Sequence, residues 1–212
     1  MVRLRGLYAL TPDWPDSARL IEAVADALAG GVAMVQLRRK AKPAQALLTE
    51  AHEIRALCRQ HGVPFIVNDD PRLAAACAAD GVHLGRDDGA VTAARELLGA
   101  GLLVGVSCYG DVARVRAAEA EGADYAAIGS LFASSTKPTA AGTSLSTLAA
   151  ARRETRIPLV GIGGVTLSNA PDVKAAGADM IAVIGALFDS DSVRDTATNF
   201  SALWEQQNVQ SK

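Results

Sequence analysis

Short apolar, β-prone runs alternate along the whole chain with alanine-rich stretches of helical character. The apolar runs cover residues 4–10, 33–37, 64–67, 81–84, 102–106, 125–128, 158–162 and 180–184. The helical stretches cover about 17–29, 43–61, a short piece after Asp70, one running through Leu98, 111–121, one from about Ser146, 168–176 and 192–205. Strands that alternate with helices pair in parallel through crossovers. Eight such units closing on themselves predict an α/β fold, a single-domain (β/α)8 TIM barrel over residues 1–206, with a polar tail at 207–212. A doubly wound open sheet competes, but it usually carries a glycine-rich turn after its first strand. Here the first strand runs into Thr11-Pro12-Asp13.

Punctuation agrees with the barrel. Gly30-Gly31, Asp80-Gly81, Glu121-Gly122 and Ala176-Gly177 each follow a helical stretch and precede an apolar run. They read as helix C-caps in the left-handed conformation, a structural role on the barrel's N-terminal face. Aromatics are 4% of a chain that is 50% hydrophobic, so the core is aliphatic. With 21 basic against 23 acidic residues, bulk charge gives no reason to expect a nucleic-acid partner. No apolar run is long enough to span a membrane. Thr11-Pro12-Asp13 interrupts the N-terminal apolar stretch too early for a secretory signal. Cys58, Cys77 and Cys108 have no disulfide or zinc spacing. A cytoplasmic protein is expected, with a homo-oligomer left open.

In such a barrel, function gathers at the C-terminal ends of the strands. Gln36 and Arg38 share a side of the second run, with Lys40 beyond them. That set reads either as a solvated basic turn or as ligand contacts. Asn68-Asp69-Asp70-Pro71 and His83-Leu84-Gly85-Arg86-Asp87-Asp88 follow the third run and span the fourth. Their acids serve as helix N-caps or as hard-cation ligands, and Mg2+ asks for one or two carboxylates plus phosphate and water oxygens. His83 sits inside an apolar run and reads first as a buried, hydrogen-bonded histidine. Ser107-Cys108-Tyr109 follows the fifth run. The longest loop, Ser130 to Pro138, holds Ser134, Thr136 and Lys137, a solvated linker or a phosphate clasp. Gly163-Gly164 and Ile184-Gly185 end the last two runs, where barrels of this kind often bind phosphate through backbone N–H groups.

These segments together resemble the thiamine-phosphate synthase family. The likeness runs over nearly the whole chain. It rests on Val35-Gln36-Leu37-Arg38-Arg39-Lys40, Ile66-Val67-Asn68-Asp69, residues 80–88, Gly105-Val106-Ser107, residues 134–138 and residues 161–166, in the family's order. The resemblance implies an enzyme that joins a hydroxymethylpyrimidine diphosphate to a thiazole phosphate with Mg2+, giving thiamine phosphate and pyrophosphate through a dissociative, carbocation-like path. Carried over by motif, Asp69 and Asp88 are the expected Mg2+ ligands. Arg38, Lys40 and Lys137 are the expected pyrophosphate contacts, and Ser107 meets the departing group. Gln36 and Asn68 are expected to hold the aminopyrimidine and its leaving group. Ser134 and Thr136 belong to the substrate loop, and Gly164, Ile184 and Gly185 cradle the thiazole phosphate. The chain departs from the family pattern at three places. Arg86 stands for a usual glutamine, Gly185 for a frequent serine, and Tyr109 for a common histidine. The last departure removes the base that a related thiazole tautomerase relies on. A non-catalytic barrel that binds thiamine intermediates is the other alternative.

Overall fold

A computed structural model describes residues 4–39, 43–132 and 143–205. Eight parallel strands close into one barrel in chain order: β1 (Gly6–Leu10), β2 (Met34–Leu37), β3 (Phe65–Asn68), β4 (Gly81–Leu84), β5 (Leu103–Tyr109), β6 (Tyr125–Ile128), β7 (Leu159–Ile162) and β8 (Met180–Val183). The closing pair is β1 with β8, in the register Leu7↔Ile181. Around them run α1 (Ser17–Ala29), α2 (Ala44–His61), α3 (Pro71–Ala76), α4 (Val91–Leu98), α5 (Val112–Ala120), α6 (Leu145–Glu154), α7 (Ala170–Ala175), α8 (Gly185–Phe188) and α9 (Val193–Glu205). The expected TIM barrel is therefore the fold. The polar tail at 207–212 lies outside the described residues. Among the described residues, no helix is long and apolar enough to cross a membrane.

Two apolar layers follow from strand alternation. Outward residues such as Leu7, Val35, Val67, Val82 and Val104 meet the helices. Inward residues Tyr8, Met34, Ile66, Tyr125, Val160 and Met180 fill the barrel. The three cysteines are free and buried, and burial pushes the Cys58 and Cys108 thiols up to about 12. They are packing residues.

The floor of the barrel is tied by a repeated device. Asp80, Asp124 and Asp179, each just before an even-numbered strand, accept from the first or second backbone N–H of the preceding odd one. The donors are Phe65 (2.8 Å), Val104 (2.6 Å) and Leu159 (2.9 Å). Arg95 and Arg152 pair with the second and third of these aspartates. The expected glycine caps hold at Gly31, Gly122 and Gly177, all with positive φ. Gly81 is different. It opens β4 against the Leu103 carbonyl, which leaves no room for a Cβ, and Ala78 takes the left-handed turn instead. Two elements were not read from the sequence. One is the four-residue α8. The other is the extension of β5 through Ser107 to Tyr109, across a register shift opposite β6.

Candidate active site

Residues from the C-terminal ends of all eight strands line one cavity of about 770 Å³. Of the residues singled out above, it holds Gln36, Arg38, Asn68, Asp69, Asp88, Ser107, Gly164, Ile184 and Gly185. Lys40, Ser134, Thr136 and Lys137 lie outside the described residues.

On β2, Gln36 is buried among apolar neighbours and hydrogen-bonds the Tyr8 hydroxyl at 2.6 Å. Arg38 is held by its backbone. Its N–H donates to the buried Thr11 hydroxyl (2.8 Å), and its carbonyl accepts from the same group (3.3 Å). Its guanidinium forms no ion pair among the described residues, although carboxylates line the same cavity. Arg39 turns the other way. Its side chain is buried against Glu50, 3.1 Å away, and also reaches the Trp14 carbonyl, so it anchors the loop that presents Arg38.

The acidic residues divide by geometry. Asp70 is the N-cap of α3, accepting from Arg72 N–H (2.8 Å) and Leu73 N–H (3.0 Å). Asp69, in the left-handed region at φ 65°, keeps its N–H on the His83 carbonyl (2.8 Å), and it lines the cavity. Asp88 is not a helix cap, since Ala90 is the N-cap residue of α4. Its carboxylate folds back onto Gly85 N–H at 2.7 Å. A Cβ on Gly85 would lie 2.5 Å from Asp88 Oδ2 and 3.8 Å from Asp69 Oδ1. Glycine at 85 therefore leaves open a corner where the two carboxylates converge. Two hard oxygen donors beside an open corner suit Mg2+, which keeps water and phosphate oxygens as its other ligands. Arg114, from α5, braces this corner by donating to the Ser107 carbonyl (2.9 Å) and the Gly85 carbonyl (3.3 Å).

His83 is buried, as expected. Its Nδ1 is 3.2 Å from the Tyr125 hydroxyl and its Nε2 is 2.9 Å from Ser107 Oγ. Burial lowers its pKa to about 4, opposed by the nearby Asp88 charge, so the ring is neutral near pH 7. Tyr8 and Tyr125 were missed from sequence because tyrosines in apolar runs look like core. Their partners lie 28 and 42 residues away. At the rim, the Arg86 guanidinium stacks over the Tyr109 ring at 4.8 Å, so two of the three departures form one cation–π pair.

On the far side, Gly163 (φ 98°) touches the backbone of Ser130, where a Cβ would lie 2.6 Å from its N. Asn169 fixes the next glycine by donating to the Gly164 carbonyl at 3.1 Å. At Gly185, a Cβ would lie 2.8 Å from Asp189 Oδ2. The carboxylate occupies the corner that a serine side chain would need.

A closed barrel with convergent carboxylates, an arginine and a glycine-lined rim at its C-terminal mouth is the layout of an enzyme acting on phosphorylated small molecules. Comparison with known proteins is more specific. Residues 7–187 match the family model for thiamine monophosphate synthase, and the chain belongs to that family. It is 48% identical over 203 residues to the thiamine-phosphate synthase of Aromatoleum aromaticum, covering 96% of this chain and 98% of that one. It is 50% identical over 199 residues to the same enzyme of Thiobacillus denitrificans, covering 94% of each. The solved thiamine phosphate pyrophosphorylase of Pyrococcus furiosus superposes with a TM-score of 0.87 at 32% identity, covering 96% of this chain and 97% of that one.

Proposed function

We propose that this chain joins 4-amino-2-methyl-5-hydroxymethylpyrimidine diphosphate to 4-methyl-5-hydroxyethylthiazole phosphate, releasing thiamine phosphate and pyrophosphate. The observation that carries this reading is the convergence of Asp69 and Asp88 at Gly85, in a cavity that also holds Arg38 and Ser107. Asp69 and Asp88 would hold Mg2+, which when bound neutralises diphosphate charge and makes it a better leaving group. Arg38, with Lys40 and Lys137, draws the diphosphate oxygens. Ser107 donates to the leaving group. Gln36 and Asn68 orient the aminopyrimidine, whose amine stabilises the methylene cation left by ionisation. The thiazole nitrogen, positioned by its phosphate at Gly164, Ile184 and Gly185, then forms the new C–N bond. Ser134 and Thr136, outside the described residues, would contribute hydroxyls to substrate binding. No protein base is required, and the protein's work is positioning and electrostatic stabilisation. The setting proposed for this reaction is the cytoplasm.

The test is formation of thiamine phosphate and pyrophosphate from both substrates, with and without Mg2+. Metal-dependent appearance of both products supports the reading. Tight binding of thiazole phosphate without turnover would replace it with a binding or regulatory barrel.

A further inference from the structure

The cavity's two polar walls are joined underneath by a continuous row of hydrogen bonds. Gln36 Nε2 donates to the Tyr8 hydroxyl (2.6 Å), and the Tyr8 and Tyr125 hydroxyls are 2.9 Å apart. Tyr125 reaches His83 Nδ1 (3.2 Å), and His83 Nε2 reaches Ser107 Oγ (2.9 Å). The members come from β2, β1, β6, β4 and β5. Gln36, Tyr8, Tyr125 and His83 are at most 7% exposed, so water does not substitute for a missing partner.

Such a row has a direction. With Gln36 Nε2 on the Tyr8 hydroxyl, Tyr8 receives a hydrogen and its own goes to Tyr125. Tyr125 then passes its hydrogen to His83 Nδ1. A neutral imidazole with an accepting Nδ1 carries its proton on Nε2. That N–H donates to Ser107 Oγ, which leaves the serine's hydrogen for the cavity. At the other end the Gln36 side-chain Oε1 makes no hydrogen bond among the described residues, while the backbone carbonyl accepts from Thr11 N–H (2.9 Å). Rotating the Gln36 amide would reverse every link and turn Ser107 into an acceptor. A partial reversal would set two donors or two acceptors face to face in the core, which is costly.

We propose that Tyr8 and Tyr125 are positioning residues that lock the two ends of the cavity into one polarity, with Gln36 Oε1 as acceptor and Ser107 Oγ–H as donor. This rests on the synthase reading for its ligand and, for its direction, on the Gln36 amide facing Tyr8 with Nε2. The polarity fits one molecule carrying an exocyclic amine at one end and anionic phosphate oxygens at the other. A counterpart with a carbonyl in place of the amine demands the reversed amide. Ser107 would then offer a lone pair to an anion. The row thus selects amine over carbonyl at a group Ser107 does not touch.

Two measurements test it. Imidazole 15N spectra of the full chain carrying His52→Gln and His61→Gln, both exposed sites, report His83 alone without any ligand. An Nε2–H tautomer near pH 7 is expected, and an Nδ1–H tautomer overturns the proposal. Calorimetry on Tyr125→Phe, with Tyr8→Phe as a second variant that breaks a different link, then reads affinity. Kd for the aminopyrimidine diphosphate should rise about tenfold, and its preference over the oxo counterpart should fall by a similar factor. Kd for the thiazole phosphate should not move. Equal weakening of both ligands, or an unchanged amine preference, overturns the proposal. Because the tautomer is read without substrate, absence of thiamine phosphate formation would sink the synthase reading and leave the row's direction intact.

Discussion

The Tyr8 and Tyr125 hydroxyls meet at 2.9 Å inside the barrel, with their rings edge to face at 6.0 Å. Burial pushes both phenols above their ordinary range, so they are neutral hydrogen-bonding groups at any pH where the protein works. The pair spans strands that are not neighbours, and it is what brings Gln36 and Ser107 into one network. Fold and chemistry therefore share these two side chains. They fill the barrel interior and also set what the cavity floor presents above.

Asp88→Asn isolates charge from geometry. The amide oxygen can still accept from Gly85 N–H, so the corner should keep its shape. What is lost is one anionic ligand for Mg2+, and turnover should fall by about a hundredfold or more. Thermal unfolding of the apo protein should shift little. Full activity at limiting Mg2+ would remove Asp88 from the proposed metal site.

Much of this was legible in the sequence, for reasons specific to barrels. Strand ends face one mouth, so the residues just after each apolar run converge on the site. Gln36, Arg38, Asn68, Asp69 and Asp88 do line one cavity. What stayed hidden depends on contacts across the barrel. The register pairs His83 with Gly105 and Gly105 with Tyr125, so the glycine lies between the two rings it allows to stack. Nothing local to residue 105 announces that. The division of labour between Asp69 and Asp70 likewise needs the left-handed turn at Asp69.

Gly105→Ala tests that register argument. A Cβ there would fall inside the Tyr125 ring, which is fully buried and has no free direction to move. Overpacking of this kind typically costs about 1–3 kcal/mol. Urea unfolding should report a loss in that range, and the His83 signals should shift with it. Wild-type stability with an unmoved histidine would mean that the ring adapts without cost.

The neutral His83 predicts an acid-side loss of stability. Its folded pKa, about 4, lies below the ordinary 6.5, so the unfolded chain binds the proton first. The contribution is complete above 6.5 and drains away as pH falls toward 4. Between about pH 7 and pH 5 the loss should be about 2 kcal/mol. Urea titrations of the metal-free protein at both pH values check the number. His83→Gln should flatten the curve over that window, and parallel curves for the two proteins would place the acid sensitivity elsewhere.

Asp189 gives a prediction of opposite sign. Its carboxylate fills the corner beside Gly185, where the thiazole phosphate is proposed to sit. The side chain is exposed, so solvent screens it and the repulsion is modest. Asp189→Asn keeps the shape, removes the like charge, and should tighten thiazole phosphate binding by about threefold at low salt. The gain should shrink as ionic strength rises. Calorimetry at two salt concentrations separates the cases. A weakened phosphate would mean that Asp189 helps to build the cradle, for instance by holding the start of α8, while an unchanged affinity would place the phosphate away from Gly185.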